Sequence, residues 1–377
     1  MALKGIKVVE IMGLAPGPLC GTMLADYGAT VTVISRIQPS PFNVMSNGKR
    51  MLAVDLKTKE GLTVMKKLCA ASDVLLDTFR PGVMEHLGLG ADQLLKENNR
   101  LVYARLSGYG QEGPYKFKAG HDINYVAMSG VLSLLSKDKK PPTPPLNLLA
   151  DFAGGSLMCT FGILLALFER QQSGKGQVVD NSMTGGLAYL STWLFKSREL
   201  PIWGGEPGTN ALDGGLPCYG TYKTKDGKFM AVGALEPQFY SNLMDALELS
   251  EDEYPQLDIE KCKKKFEEVF VSKTQEEWCK IFDEADACVT PVLDFDTLDQ
   301  HKYYSGSNLL YRDEEGTLIP ETAPRLSRTP GQSVSHNPVS HHGQHTVEIL
   351  IELGYNDNTI KNLIKNGDVY ALEKSHL

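Results

Sequence analysis

Short apolar runs alternate with longer segments of helical pattern over the first 110 residues. The apolar runs that predict buried strands are 6–11, 30–35, 51–56, 73–79 and 101–110. Between them, the segments 18–29 and 58–72 are predicted helices, and the second is clearly amphipathic. Strands that alternate with helices form a parallel sheet covered by helices, so we expect a Rossmann-like α/β domain. Ligands of such sheets bind beyond the carboxyl ends of the strands.

A long apolar run begins after Asp151 and covers residues 152–168. Its 17 residues fall just short of the roughly 20 that a transmembrane helix needs, and charged residues follow at Glu169 and Arg170. The run therefore predicts a buried helix rather than a membrane span, with a stop signal in the glycine-containing segment 173–176. A short strand and a further helix are expected within 177–197.

The chain of 377 residues is long for one core, so two domains are expected. Residues 199–217 are rich in Gly and Pro and indicate a linker, and a predicted hairpin follows with Asp226 and Gly227 at its turn. We therefore predict a large domain over 1–198 and a smaller α+β domain over 218–320. A second linker and a helical return to the large domain take up 321–377.

Composition narrows the class of protein. Hydrophobic residues make up 42% and charged residues 22%, which is ordinary for a soluble globular chain. The net charge of −8 argues against non-specific nucleic-acid binding, but it allows an anionic ligand in a local basic pocket. Seven scattered cysteines without a Cys-x-x-Cys pair indicate free thiols in a reducing compartment, not disulfides or a zinc site.

Basic side chains follow three of the predicted strands. Arg36, Lys57 and Arg80 could bind the phosphates of one nucleotide-like ligand, or each could be a solvated surface residue. Their shared position after strands favours a site. The Gly-x-x-Pro-Gly-Pro loop 13–18 lacks the dinucleotide signature and is typical of a plain turn, although the helix after it could also bind phosphate.

Three acid/base candidates stand at the edges of apolar segments. Asp151 fits a helix N-cap, but the same position could serve chemistry, because a helix start also stabilises negative charge. His121 by itself is typical of a structural histidine. Glu236 lies in an apolar segment before a proline, where a histidine would be a suitable partner. The histidines of the stretch 341–345 indicate a solvated loop more than a metal site.

Several ordered segments carry a resemblance over nearly the whole chain. They include GKRMLAVDLK (48–57), AGHDINYVAMSGVL (119–132), PLNLLADFAGG (145–155) and DGKFMAVGALEPQFY (226–240). With these segments the chain resembles the family III CoA-transferases, also called the CaiB/BaiF family. The resemblance implies an interlocked homodimer in which each active site is built from two chains.

The resemblance also separates two reactions within the family. Its transferases use an aspartate at the position of Asp151 as a nucleophile that forms acyl anhydrides. Its racemases add a histidine at the position of His121 and a glutamate at the position of Glu236, and this chain has both. The implied activity is interconversion of (2R)- and (2S)-2-methylacyl-CoA thioesters through an enolate, without a metal or other cofactor. His121 and Asp151 would be the two acid/base groups, and Glu236 would hydrogen-bond His121.

Two alternatives stay open beside the racemase. One is a CoA-transferase with Asp151 as nucleophile, and the other is a CoA-binding protein without catalysis. For all three, the resemblance implies CoA contacts at Arg36, Val54, Asp55, Leu56, Lys57, Arg80, Gly120, Asp122, Ile123, Asn124 and Tyr125. A backbone N–H near Asp151 is expected to hold the enolate oxygen, and Met183 and Met230 are candidates for the acyl surface.

The chain ends in Ser375-His376-Leu377, which is similar to the Ser-Lys-Leu address of peroxisomal proteins. The substrates that the resemblance implies, from branched fatty acids and bile-acid precursors, are oxidised in peroxisomes. We therefore expect a peroxisomal import receptor as a partner and a peroxisomal location, with mitochondria as the second possibility.

Overall fold

The computed structural model of the protein describes residues 1–41, 43–137 and 139–372. It divides into two compact units. The large unit comprises the described residues of 1–129, 145–190 and 307–372, and the small unit those of 130–144 and 191–306. The C-terminal Ser375-His376-Leu377 lies outside the described residues.

The strands are numbered in chain order. In the described residues they are β1 (Lys7–Ile11), β2 (Thr30–Ser35), β3 (Arg50–Val54), β4 (Val74–Asp77), β5 (Val102–Ser107), β6 (Val178–Ser182), β7 (Tyr219–Lys223), β8 (Phe229–Gly233), β9 (Val289–Pro291), β10 (Leu310–Arg312), β11 (Leu318–Pro320) and β12 (Val369–Tyr370).

The helices are numbered in the same way. The α-helices are α1 (Pro16–Asp26), α2 (Lys59–Ala70), α3 (Val83–His86), α4 (Ala91–Glu97), α5 (Asp122–Met128), α6 (Met158–Ser173), α7 (Met183–Leu190), α8 (Thr192–Lys196), α9 (Pro237–Ala246), α10 (Ile259–Phe270), α11 (Gln275–Phe282), α12 (Lys302–Ser305), α13 (Thr346–Glu352) and α14 (Asp357–Asn366). A helix of wide π-type turns occupies Leu148–Leu157, and 3₁₀ turns occupy Val131–Leu135, Pro201–Trp203, Phe295–Gln300 and Val334–His336.

A seven-stranded sheet organises the large unit, in the order β12-β3-β2-β1-β4-β5-β6. Strands β1 to β6 run parallel, which confirms the predicted α/β fold. The edge strand β12 is antiparallel to β3, and the sequence did not indicate it. With two residues, β12 is too short for any pattern, and its pairing depends on the return of the C-terminal helices.

Apolar side chains on the central strands explain why they appear as continuous runs in the sequence. All four residues of β4 are buried, and so are the last four of β1, since helices cover both faces of the sheet. On one face, strand residues such as Leu52 and Leu75 share a core with Met65 of α2, Leu350 of α13 and Leu363 of α14.

The small unit has its own sheet and its own core. Strands β7, β8 and β9 form an antiparallel sheet, as the predicted hairpin at Asp226 and Gly227 requires for the first two. Its core contains the fully buried Trp278, whose indole N–H donates to the Phe270 carbonyl at 2.8 Å.

The two units differ from the predicted domain boundaries in three places. The prediction puts 130–144 and 191–198 in the large domain and 307–320 in the small one, whereas the contacts group them the other way round. Residues 307–320 contain the hairpin of β10 and β11. The proline-rich segment 141–145 is the signal that could have marked the first boundary.

Candidate active site

Asp151 lies in the first turn of the wide-turn helix, not at its N-cap. The helix begins at Leu148, and Asn147 occupies the N-cap position. The N-cap interpretation of Asp151 is therefore wrong, because the helix starts three residues earlier than the apolar pattern suggests. π-type turns are rare and occur often at functional sites.

Close packing against α7 explains the glycines that follow Asp151. A Cβ atom at Gly154 would lie 2.6 Å from the Leu187 nitrogen, and one at Gly186 would lie 2.0 Å from the Gly154 oxygen. Gly154 and Gly155 thus allow two backbones to approach closely. Both glycines are buried.

Asp122 supplies the cap of the helix that carries Asp151. Its Oδ1 accepts hydrogen bonds from the backbone N–H groups of Ala150, at 2.9 Å, and Asp151, at 2.8 Å. The residue is only 5% exposed. The carboxylate of Asp122 is thus engaged inside the protein, and the CoA contact expected at this residue stays a prediction. The same two N–H groups are occupied, so they do not serve as the expected enolate donors.

His121 directly precedes Asp122 and is the N-cap residue of α5. Its backbone N–H donates to Asn124 Oδ1 at 3.0 Å, and the residue is exposed. Because Asp122 binds the start of the wide-turn helix, the structure brings His121 and Asp151 to one site. Their roles as the two acid/base groups stay a prediction.

The surroundings of Asp151 raise the pKa of its carboxyl group above the ordinary value. Burial raises the pKa of Asp151 first, and the neighbouring Asp122 charge adds to the rise. A hydrogen bond from Asn147 and the charge of a protonated His121 lower the pKa of Asp151 in part. A raised pKa is typical of carboxyl groups that act as general acids or bases in enzymes.

The site lies at the carboxyl edge of the large sheet. Ser156 Oγ donates to the carbonyl of Pro16, in the helix that follows β1, and Asn181 of β6 donates to Gly155. A Cβ atom at Gly155 would lie 3.6 Å from Leu106, near the end of β5. Parallel α/β sheets bind ligands at this edge.

The predicted phosphate-binding residues share this edge. Arg36 follows β2, Lys57 lies three residues after β3, and Arg80 lies three residues after β4, and all three are exposed. With strands spaced about 4.8 Å apart, the ends of β3 and β4 are separated by roughly 14 Å, a span that one extended CoA molecule can bridge.

The Tyr125 phenol interacts electrostatically with both Arg80 and Asp151. Burial and the charges of Tyr109 and Asp151 raise the pKa of Tyr125 to about 12. The Arg80 guanidinium acts against this rise, so it lies on the same side of the site. The Tyr125 hydroxyl donates to the Gly120 carbonyl. Ile123 and Asn124 are exposed, as a contact with CoA requires.

The segment 54–57 offers backbone more than side chains to a ligand. Val54 is 2% exposed and Leu56 packs against the core, and the CoA contacts expected at these two residues stay predictions. Asp55 Oδ1 accepts from the Lys57 N–H at 2.9 Å, which holds the loop in a tight turn. Lys57 is the exposed cation of this segment.

The large unit has an open cavity of about 470 Å³ whose lining includes the residues that directly follow Arg36 in the sequence. Its lining consists of Ile37, Gln38, Pro39, His341, His342, Tyr370 and Leu372. The His342 ring stacks on Tyr370 with centroids 5.0 Å apart and lies 2.8 Å from the Ile37 carbonyl through Nε2. Sequence reasoning missed these two rings, and only the position of β12 brings Tyr370 beside them.

The C-terminal histidines bind protein groups, which corrects their interpretation as a solvated loop. His342 Nδ1 lies 3.2 Å from Ser35 Oγ, and His345 Nδ1 accepts from the Met51 N–H at 3.1 Å. These hydrogen bonds attach the C-terminal segment of the chain to β2 and β3.

Among the described residues, no group of three or more His, Cys, Asp or Glu could hold a metal ion. All seven cysteines are free thiols, as predicted.

Glu236 belongs to the small unit, where it is the N-cap residue of α9 with Pro237 after it. It is exposed, which corrects the apolar surroundings expected from sequence. Its hydrogen bond with His121 stays a prediction. Met183 is 8% exposed and Met230 is fully buried, so neither forms the acyl surface that was suggested.

The helix after Asp151 has a large exposed apolar face. In the described part of the chain, Leu148–Ser173 is the one helical stretch long and apolar enough, by length and composition only, to cross a membrane, and 39% of that stretch is buried. Leu157, Phe161, Leu164, Leu165 and Phe168 are each at least 39% exposed. At the other end, the nearly buried Arg170 forms an ion pair with Asp73 at 2.9 Å.

Similar proteins divide into racemases and transferases. The alpha-methylacyl-CoA racemase of Mus musculus is 52% identical over 96% of this chain and 96% of its own length. The protein of the same name from Homo sapiens is 51% identical with the same coverage. The succinyl-CoA–L-malate CoA-transferase beta subunit of Chloroflexus aurantiacus is 31% identical over 96% of this chain and 97% of its own length.

Solved structures show the same fold at lower identity. A CAIB/BAIF family protein from Brucella suis has a TM-score of 0.76 at 21% identity and covers 93% of this chain and 99% of its own. A Mycobacterium tuberculosis protein has a TM-score of 0.75 at 22% identity, with coverage of 92% and 98%. The model of CoA-transferase family III matches residues 3–346. With that match and these relatives, the chain belongs to CoA-transferase family III.

Proposed function

We propose that the protein is an isomerase that interconverts the (2R) and (2S) epimers of 2-methylacyl-CoA thioesters. The observation that carries the proposal is the joining of His121 and Asp151 in one site by the Asp122 hydrogen bonds. Identity supports it as well, since relatives named alpha-methylacyl-CoA racemase are 52% and 51% identical and the named transferase is 31% identical.

Inversion at the α-carbon requires a base on each face of the substrate. One group removes the α-proton, and the electron pair moves into the thioester to form an enolate. The other group then delivers a proton to the opposite face, and the thioester carbonyl is restored. Asp151 and His121 fill these roles in turn, because imidazole and carboxyl side chains both serve as general acids and bases. The two groups carry every proton transfer of this scheme, so it calls for no further cofactor.

The CoA moiety binds along the carboxyl edge of the sheet in this proposal. The exposed cations Arg36, Lys57 and Arg80 take its phosphates, since charge-assisted hydrogen bonds are the strong ones at such sites. The cavity beside Arg36 takes the adenine, and the stacked rings of His342 and Tyr370 give it a flat wall. Acyl chains of branched fatty acids and bile-acid intermediates are the expected substrates.

The function is tested with (2R)-2-methylacyl-CoA in deuterated water and no acceptor acid. The proposal predicts that both epimers form and that deuterium enters at the α-carbon. A CoA-transferase would leave the substrate unchanged until a free carboxylic acid is added, and would then move CoA to it. Binding without either reaction would leave only a CoA-binding protein.

The apolar face of α6 supports a homodimer. Its exposed side chains recur at the i, i+4, i+7, i+8 and i+11 positions from Leu157, which is one face of a helix. A contiguous apolar face of this kind marks an interface, and a second copy is the partner that the family resemblance implies. Sedimentation velocity should give a dimer, and the double change Phe161→Glu and Phe168→Glu should give a monomer. A wild-type monomer, or binding of the wild type to phosphatidylcholine vesicles, would contradict the dimer.

The C-terminal Ser375-His376-Leu377 supports import into peroxisomes by its receptor. A fluorescent fusion that keeps this C-terminus free should locate to peroxisomes, and removal of the last three residues should release it. Location of both fusions in mitochondria would contradict the peroxisomal address.

A further inference from the structure

The carboxylate of Asp122 is an unusual feature of the site, because it is buried and forms no ion pair with any residue that the structure describes. Its Oδ1 accepts two backbone hydrogen bonds, from Ala150 and Asp151. Its Oδ2 is buried and has no hydrogen-bond partner in the part of the chain that the structure describes. An unpaired buried carboxylate oxygen is costly, so its retention calls for a physical reason.

The two hydrogen bonds replace a local cap. The first N–H groups of any helix need acceptors, and Asn147 at the N-cap position makes no side-chain cap bond to this helix. The acceptor comes instead from residue 122, 28 positions before Ala150. A negative charge at a helix start is also favoured by the helix dipole.

We infer that Asp122 is a positioning residue that holds the two acid/base groups of the site at a set distance. Asp122 is bonded covalently to His121 and by hydrogen bonds to the backbone of Asp151, so one side chain links both. This inference rests on the proposed two-base reaction. Misplacement of a reacting group by about 1 Å can cost about a hundredfold in rate, which explains the value of such a link.

The charge of Asp122 has a second consequence at Asp151. After burial it is the largest factor that raises the pKa of the Asp151 carboxyl. The other charged group that acts on Asp151 is His121, which lowers that pKa, and the Tyr125 phenol of α5 also interacts with it. Neutralising Asp122 should therefore lower the pKa of Asp151.

Two substitutions separate the hydrogen bonds from the charge. Asp122→Asn keeps an oxygen that accepts both N–H groups, so kcat should stay within about threefold of wild type, while the acid limb of the pH–rate profile moves to lower pH. Asp122→Ala removes the acceptor, so kcat should fall between about tenfold and a hundredfold with little change in KM. Asp92→Asn is the matched control, because Asp92 is an exposed aspartate in the first turn of α4, and it should change neither quantity.

The measurements use the full-length chain, with kcat, KM and α-proton exchange recorded from pH 5 to 9. Wild-type kcat for Asp122→Ala would overturn the inference, and so would a raised KM alone, which would make Asp122 a CoA contact. If Asp122→Ala does not fold, the Asn variant decides, since a profile that coincides with wild type would overturn the inference. Failure of the proposed function looks different: wild type would show no exchange, or Asp151→Ala would keep full activity.

Discussion

Two buried carboxylates of the large unit, Glu10 and Asp122, are stabilised in different ways. Glu10 is 1% exposed and forms an ion pair with the fully buried side chain of Lys49 at 2.9 Å. Lys49 also donates to the Pro18 carbonyl at 2.8 Å. Asp122 is 5% exposed and is held by two backbone N–H groups, and no cation of the described ranges forms an ion pair with it.

The difference separates a charge that serves the fold from one that serves the site. In the Glu10 pair the opposite charges offset each other, although burial still raises the pKa of Glu10. At Asp122 the negative charge is left unpaired and acts on Asp151. Changes at the ion pair should therefore lower the free energy of unfolding and leave turnover unchanged. Changes at the site should lower turnover and leave the free energy of unfolding unchanged.

The largest expected effect comes from changes at the candidate active site, not at the Glu10–Lys49 ion pair. Asp151→Ala and His121→Ala should each lower the rate of epimer inversion by about 10²-fold to 10⁴-fold, because either change removes one of the two proton-transfer groups. Thermal unfolding should stay close to wild type, since His121 is exposed and Asp151 is only half-buried. Inversion at the wild-type rate in either variant would refute the two-base reaction.

The ion pair should show the opposite behaviour. Lys49→Met leaves the Glu10 carboxylate buried without its partner and should lower the free energy of unfolding by about 3–5 kcal/mol. The double change Lys49→Met and Glu10→Leu should lose less than the single change, because no charge is then left unpaired. Urea denaturation measures both, and turnover per folded molecule should be unchanged. A single variant as stable as wild type would show that Lys49 does not compensate Glu10.

The basic residues at the sheet edge should affect binding more than turnover. Arg36→Ala and Arg80→Ala should each raise KM for the CoA thioester roughly tenfold, as expected when one charge-assisted hydrogen bond is lost. Lys4→Ala is the matched control, because Lys4 is exposed and precedes β1 at the other edge of the sheet. Equal KM values for all three variants would contradict the proposal that CoA binds at this edge of the sheet.

The smallest expected effect is the position of the acid limb in the pH profile. Because burial and Asp122 raise the pKa of Asp151, the form that accepts a proton is lost at a higher pH than for an ordinary aspartate, whose pKa is about 3.9. In the direction where Asp151 is the base, kcat/KM should fall as pH drops, with a midpoint above that value. A midpoint at or below it would show that Asp122 does not influence Asp151.

Local patterns in the sequence were enough for the central strands. The five apolar runs predicted β1 to β5 because a strand buried on both faces needs a continuous apolar sequence. They did not predict β12, whose two residues pair with β3 only because α13 and α14 return the chain to the sheet edge. That pairing is a property of the folded chain and has no local signal.

The sequence named candidate acid/base residues but did not indicate the hydrogen bonds that link them. The motif resemblance identified His121 and Asp151, and the structure brings both to one site. It did not reveal that Asp122 caps the helix of Asp151, since the acceptor and the donors lie 28 and 29 positions apart. His342 and Tyr370 were missed for the same reason, because distant segments meet at the cavity beside Arg36.

Deuterium exchange without inversion tests the two-base site most directly. Each epimer of a 2-methylacyl-CoA is incubated in deuterated water with His121→Ala and with Asp151→Ala, and the α-carbon is followed by NMR. The account predicts that neither variant inverts its substrate and that each still exchanges one epimer. The epimer that His121→Ala exchanges should differ from the epimer that Asp151→Ala exchanges. Inversion at the wild-type rate in either variant, or exchange of the same epimer by both, would contradict the account.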